Sequence, residues 1–213
     1  MAIFLDSALE KDAEKAFAFG FVGGITTNPK LLSQAKGTAE SVIKALCAIS
    51  PGPVFYQPTA TTAKGMKEEA VRFQHLCARK VVIKVPCTTE NLSVMAILSY
   101  HQGINCAATA VYSEGQAYLA CEAGAKYLIP YVNRITTAGG NGPAFVTRIG
   151  EIARAAGKGT EILAASLKTP DEVAVTVRAG AHHVTLPLAV IEALGNDPRS
   201  DEAIGMFAGF VGK

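Results

Sequence analysis

The sequence predicts an α/β protein, a single-domain (β/α)8 TIM barrel carrying one extra helix at its C-terminal end. Three observations point there. Short runs rich in β-branched residues alternate, eight times over, with longer Ala-rich or charged segments of helical period. A length of 213 residues suffices for one substantial core and leaves little room for a second, so residues 1–213 read as one domain. Nearly every β-branched run ends on a polar residue, at the end of the strand where a barrel collects its chemistry.

In chain order, the candidate strands are 2–6, 23–26, 53–57, 81–85, 104–109, 126–131, 161–166 and 182–187. Helical segments fall at about 9–19, 38–48, 62–78, 89–101, 113–123, 143–156, 170–178 and 188–194, with a last helix at about 200–211. Thr89-Glu90, Ser113-Glu114 and Pro170-Asp171-Glu172 put caps, acids or proline at helix starts. Gly20, Gly103, Gly124, Gly157 and Gly180 fall where helices should stop. The competing architecture is an open doubly wound sheet, whose GxGxxG fingerprint follows the first strand. Here Asp6 is followed by Ser7-Ala8-Leu9, and the Gly-rich stretch 139–142 comes only after the sixth strand. The alternation therefore favours the closed barrel.

Composition narrows the function classes. The formal net charge is +2, from 20 basic and 18 acidic residues, and no Lys/Arg cluster offers a footprint for nucleic acid. The first apolar run meets Asp6 too soon for a signal peptide, and no stretch is apolar long enough to cross a bilayer. The five cysteines have no CxxC spacing and an odd count, as in a reduced, cytoplasmic protein. No HExxH, Walker loop or GxSxG is present, and the adjacent His182 and His183 face opposite sides of a strand. Neither a metal nor another cofactor is expected.

The polar strand ends are Asp6, Thr26-Thr27-Asn28, Gln57, Lys84, Thr109, Tyr131 with Asn133-Arg134, Ser166 and Thr185. Solvated turns explain any one of them and explain the whole series less well. Lys84 lies in Val81-Val82-Ile83-Lys84-Val85-Pro86 and shares a strand face with Val82. Two readings stand. A strand lysine can snorkel to the surface. Alternatively, a lysine held in an apolar cavity loses its charge more easily, and the neutral amine attacks a carbonyl to form an imine. Asp6 either caps the next helix or exchanges protons with an amine. Tyr131 is either a rim aromatic or a general acid/base. Arg134 and Ser166 suit a phosphate, or else a surface ion pair and a helix cap.

With these residues on the page, the chain resembles the small transaldolase family, and within it the fructose-6-phosphate aldolase branch. The likeness spans about residues 3–207. It rests on Phe4-Leu5-Asp6-Ser7, Thr26-Thr27-Asn28-Pro29, the stretch 60–66, Ile83-Lys84-Val85-Pro86, Thr109-Ala110-Val111-Tyr112, the stretch 130–134, the stretch 163–170 and Thr185-Leu186-Pro187-Leu188.

The resemblance implies a class I aldol mechanism without metal. Lys84 is then the Schiff-base lysine, and Asp6 assists its proton transfers. Thr26 and Asn28 fall at the donor-binding end, with Asn28 holding a donor hydroxyl. Arg134 and Ser166 are the phosphate contacts, while Gln57, Thr109 and Tyr131 hold a water. Typical transaldolases end the third strand on Glu and carry an apolar aromatic at the sixth-strand position. Gln57 and Tyr131 therefore resemble the aldolase branch. Ser7, Pro58, Ala107 and Ile129 depart from the family's usual residues, the last two at expected pocket-wall positions. The substrates implied are sugar phosphates and hydroxyketones. The assembly implied is a homo-oligomeric ring, a pentamer or decamer, in which the C-terminal helix reaches a neighbour. The expected activity is fructose 6-phosphate cleavage. Transfer of a dihydroxyacetone unit is the alternative, and a non-catalytic sugar phosphate binder a third reading.

Overall fold

The computed structural model describes residues 1–77 and 80–210. Eight parallel strands follow one another around a closed barrel: β1 (Ala2–Asp6), β2 (Val22–Thr26), β3 (Val54–Tyr56), β4 (Val81–Pro86), β5 (Cys106–Val111), β6 (Tyr127–Pro130), β7 (Glu161–Ala164) and β8 (His183–Leu186). Pairing of β1 with β8, from Ala2 opposite His183 to Leu5 opposite Leu186, closes the ring and removes every sheet edge.

The outer helices include α1 (Glu10–Ala18), α2 (Pro29–Leu32), α3 (Ala39–Ile49), α4 (Ala63–Leu76) and α5 (Thr89–Ala96). They continue with α6 (Glu114–Glu122), α7 (Val132–Thr137), α8 (Gly142–Ala156), α9 (Pro170–Arg178), α10 (Leu188–Ala193) and α11 (Pro198–Ala208).

All eight expected strands and nine expected helical segments are present, with shifted ends. Strand five starts at Cys106, not 104, and runs on to Val111. Strands three, six and seven stop before Gln57, Tyr131 and Ser166, which begin the loops above the barrel. The expected helix 89–101 is α-helical to Ala96 and then widens into a π turn over Ile97–His101, and its cap is Thr88. The last helix starts earlier, with Asp197 as its cap, and expected residues 78 and 211 lie outside the described residues. Two helices were not expected. Both α2 and α7 are one or two turns long, too short to display a helical period.

Side chains alternate across the barrel wall, interrupted where the β1–β2 and β5–β6 registers shift. Outward residues such as Leu5, Ile25, Val54, Ile83 and Leu186 are buried under the helices in the main core. Inward residues form a second, separate core: Phe4, Phe55, Val82, Ala107, Tyr127, Ile129, Leu163 and Ala165. Aromatics plug its lower end. Phe55 lies 5.4 Å from Phe4 and 5.2 Å from Tyr127, and His183 meets both outer rings edge-on. Gly24 makes room for this plug, because a Cβ there would fall 3.0 Å from the Phe4 ring and 2.4 Å from the Pro53 carbonyl. Burying rings of this size contributes about 2–3 kcal/mol each. The plug closes the barrel from below, so the polar inward residues that face open space sit above it, at the C-terminal ends of the strands.

The glycines expected to stop helices do so. Gly124, with φ of 79°, ends α6 and turns the chain into β6 within three residues. Among the described residues, no helix is long and apolar enough to cross a membrane.

Candidate active site

The next inward residue above the plug on each strand is polar with one exception: Asp6, Thr26, Gln57, Lys84, Thr109, Tyr131 and Thr185, with Ala165 on β7's extension. Strand alternation alone explains this. Asp6 follows Phe4 by two, Gln57 follows Phe55, Lys84 follows Val82, Thr109 follows Ala107, Tyr131 follows Ile129 and Thr185 follows His183. Each functional side chain thus sits on a strand, or on the first residue after one, two positions from a residue of the inner face.

These residues surround a cavity of about 460 Å³, open at the top. Asp6, Thr26, Asn28, Gln57, Lys84, Tyr131, Arg134 and Ser166 all line it. Thr109 does not line it but reaches it through Tyr131: the two hydroxyl oxygens are 3.0 Å apart. Every expected site residue is therefore gathered at one end of the barrel. The cavity also has walls that the sequence reading did not single out, Lys30, Leu31 and Gln34 from the α2 region. The Asn28-Pro29 pair was the available signal. Asn28 Oδ1 caps α2 by accepting from Leu31 N at 3.0 Å, and Pro29 takes the first helical position. Lys168, noted only as part of a longer stretch, also lines the rim.

Lys84 is 4% exposed. Its Nζ donates to the Thr27 carbonyl at 2.9 Å. The snorkelling reading is therefore excluded, since the amine is bonded inside the barrel and not at the outer surface. Burial lowers its pKa from 10.5 to about 8, opposed by the attraction of the Asp6 carboxylate. Near pH 7 that leaves roughly a tenth of the amine neutral, far more than its ordinary value would. Asp6 is itself tied down. Thr26 Oγ1 donates to its Oδ1 at 2.8 Å, and the Thr26 and Thr185 hydroxyls lie 2.5 Å apart.

On the opposite wall the phenol of Tyr131 is fixed from several sides. Arg134 lies over its ring, with Cζ 4.5 Å from the centroid, and Tyr112 meets it edge-on at 5.8 Å. Ser166 has a φ of 64°, left-handed for a residue with a side chain. Such a conformation costs about 1–3 kcal/mol and tends to persist at functional sites. Asn133 does not face the cavity: its amide donates to Glu172 Oε1 at 2.6 Å and ties α7 to α9. Of the wall residues expected from the resemblance, Ile129 lines the cavity, while Ala107 is packed in the inner core beneath it.

Comparison with known proteins covers nearly the whole chain. A model of the family described as "Transaldolase/Fructose-6-phosphate aldolase" matches residues 3–209. The chain belongs to that family. It is 38% identical over 208 residues to a "probable transaldolase" of Lactiplantibacillus plantarum, covering 98% of this chain and 95% of the relative. It is 37% identical over 207 residues to proteins of the same name from an Anaeromyxobacter strain and from Methanococcus maripaludis, covering 97% of this chain and 95% of each. The family supports a lyase or transferase acting on sugar phosphates, by aldol cleavage or by transfer.

Proposed function

We propose that this family member is a class I aldolase that reversibly cleaves fructose 6-phosphate to dihydroxyacetone and glyceraldehyde 3-phosphate. The observation that carries the choice is the phenol of Tyr131, held beside Thr109 and across the cavity wall from the buried amine.

The reaction runs as follows. The lone pair of neutral Lys84 Nζ attacks the C2 carbonyl, and the carbinolamine loses water to give an imine. Asp6 takes and returns the protons of that step. The water held by Gln57, Thr109 and Tyr131 takes the C4 hydroxyl proton as the C3–C4 bond breaks, releasing glyceraldehyde 3-phosphate and leaving an enamine on Lys84. Arg134 and Ser166 hold the phosphate, and Asn28 a hydroxyl of the three-carbon unit. The enamine must then gain a proton at C3 before water hydrolyses the imine and frees dihydroxyacetone. Tyr131, with Thr109 and Gln57 holding a water, supplies that proton. A ring without the hydroxyl leaves the enamine waiting for an acceptor aldehyde, which is transfer.

Transaldolase activity is the second reading, favoured by the "probable transaldolase" name of the relatives. The deciding experiment follows glyceraldehyde 3-phosphate release from fructose 6-phosphate, with and without erythrose 4-phosphate. Sustained release without acceptor establishes the aldolase. Release only with acceptor makes the enzyme a transaldolase.

The same reading carries a cytoplasmic location and a homo-oligomeric ring. Ile204, Met206 and Phe207 on α11 and the following Phe210 are exposed, an apolar face suited to cover by another copy of the chain.

A further inference from the structure

Beneath the β3 loop, outside the barrel interior, one carboxylate is buried with four donors on it. Glu69 of α4 is 9% exposed. It accepts from the Tyr56 hydroxyl at 2.5 Å, from Thr59 N at 3.0 Å, from Ala60 N at 2.9 Å and from Thr59 Oγ1 at 3.3 Å. Burial alone pushes its pKa up, but the bonds from Tyr56, Thr59 and Ala60 outweigh it and hold the carboxyl below its ordinary value. The tyrosine is fixed as well, stacked face to face on Phe73, one turn along α4 from Glu69.

The donors bracket Gln57. Tyr56 precedes it, while Thr59 and Ala60 follow it. Between them stands Pro58, buried and locked in φ by its ring. One carboxylate therefore ties the side chain of the residue before Gln57 to the backbone of the two residues that follow Pro58. Stability does not require this arrangement. A buried charge is an expensive way to join a helix to a loop, and an apolar pair in its place is often as stable. Thr59 is exposed, so water could satisfy its N–H. What the carboxylate adds is a fixed loop geometry at the single residue that enters the site.

We propose that Glu69 is the positioning residue for Gln57, acting through Tyr56, Thr59 and Ala60 to hold the amide in one place on the cavity wall. Its effect on turnover rests on the reading of Gln57 as a holder of the reactive water.

The test is a double-mutant cycle on the full-length enzyme, joined to amide exchange. Glu69→Gln keeps the side-chain shape but brings an NH2 against donors that all need an acceptor. Tyr56→Phe is the milder variant, removing one hydroxyl only. Glu69→Gln is expected to lower kcat for dihydroxyacetone release by about 10- to 100-fold, the cost of ångström-scale misplacement. KM for glyceraldehyde 3-phosphate should hold, because Arg134 and Ser166 are untouched. In a Gln57→Ala background the same substitution should cost nothing further. Hydrogen exchange of the 57–62 segment should speed up in Glu69→Gln, and a crystal structure should show Gln57 displaced. An equal loss of kcat in both backgrounds overturns the proposal, as does unchanged exchange with Gln57 in place. If Gln57 moves but the parent releases no product without acceptor, the positioning role stands and the aldolase assignment fails.

Discussion

The hydroxyls of Thr109 and Tyr131 meet at 3.0 Å across the seam between β5 and β6, and a bulge accompanies the contact. The register of the two strands slips between Thr109 and Val111, with Ala110 left over at a φ of 57°. The slip lets Thr109 keep its inward direction while the chain leaves the barrel. Arg134 and Tyr112 then confine the phenol from its face and side. The Tyr131 hydroxyl is held in place before any substrate enters.

Tyr131→Phe should therefore change the chemistry more than the fold. The ring keeps its contacts with Arg134 and Tyr112, and the lost hydrogen bond costs about 1 kcal/mol. Release of dihydroxyacetone without acceptor should fall by about 100-fold or more, the lower range for a lost general acid. Transfer to erythrose 4-phosphate should rise as a share of total turnover. Thr109→Val should shift the same ratio in the same direction, by less. A partition ratio equal to the parent's in Tyr131→Phe contradicts the proton-donor role.

The pH dependence of imine formation follows from the burial of Lys84. Its pKa, lowered to about 8, means the neutral amine grows as pH rises through 8 instead of through 10.5. Trapping of dihydroxyacetone on Lys84 by cyanoborohydride should rise with pH and level off above about 9. Asp6 attracts the ammonium and opposes the shift, so Asp6→Asn should move this limb to lower pH while slowing the reaction itself. A limb that stays put, or moves up, argues against the attraction of the Asp6 carboxylate for the ammonium.

The same burial works against stability at neutral pH. An amine whose folded pKa is below its unfolded one binds fewer protons when folded, so its contribution improves as pH rises. The penalty is full below about pH 8 and fades between 8 and 10.5. A shift of this size amounts to about 3 kcal/mol. Lys84→Met fills similar space without a charge, so it should be inactive yet melt higher than the parent at pH 7. The difference in Tm should shrink at pH 10. An equal or lower Tm at both pH values would mean the cavity already solvates the ammonium.

What was legible in the sequence was whatever strand alternation and local chemistry fix. Lys84 could be put on the same strand face as Val82, though burial and not sequence decided between its two readings, and Gly124 could be read as a helix stop from its place before β6. The left-handed Ala110 and Ser166 could not be read, because nothing local to either residue favours that conformation; Ala110 takes it at the β5–β6 register slip and Ser166 in the loop beyond β7. Helix α2 was missed because four residues hold no period, and with it the cavity contacts of Lys30 and Gln34. Glu69 looks like any helix acid, since its partners lie nine to thirteen residues away across a loop.

Ser166 separates strain from binding. Its backbone stays left-handed whether the side chain is Ser or Ala, so Ser166→Ala should leave Tm nearly unchanged. Losing a hydroxyl that bonds a phosphate costs about 1.5–3 kcal/mol, or roughly 10- to 100-fold in KM for glyceraldehyde 3-phosphate. Ser166→Gly loses the same hydroxyl but removes the crowded Cβ, a relief of about 1 kcal/mol that the more flexible unfolded chain partly offsets. The two variants should share one KM and differ only in stability. Unphosphorylated glyceraldehyde is the control, for it makes no phosphate contact and its KM should not move in either variant. If Arg134 holds the phosphate as proposed, Arg134→Gln should raise the KM of the phosphorylated aldehyde further, because it removes the positive charge and the guanidinium's two-pronged geometry. If both aldehydes weaken together in Ser166→Ala, the hydroxyl shapes the pocket and does not read the phosphate.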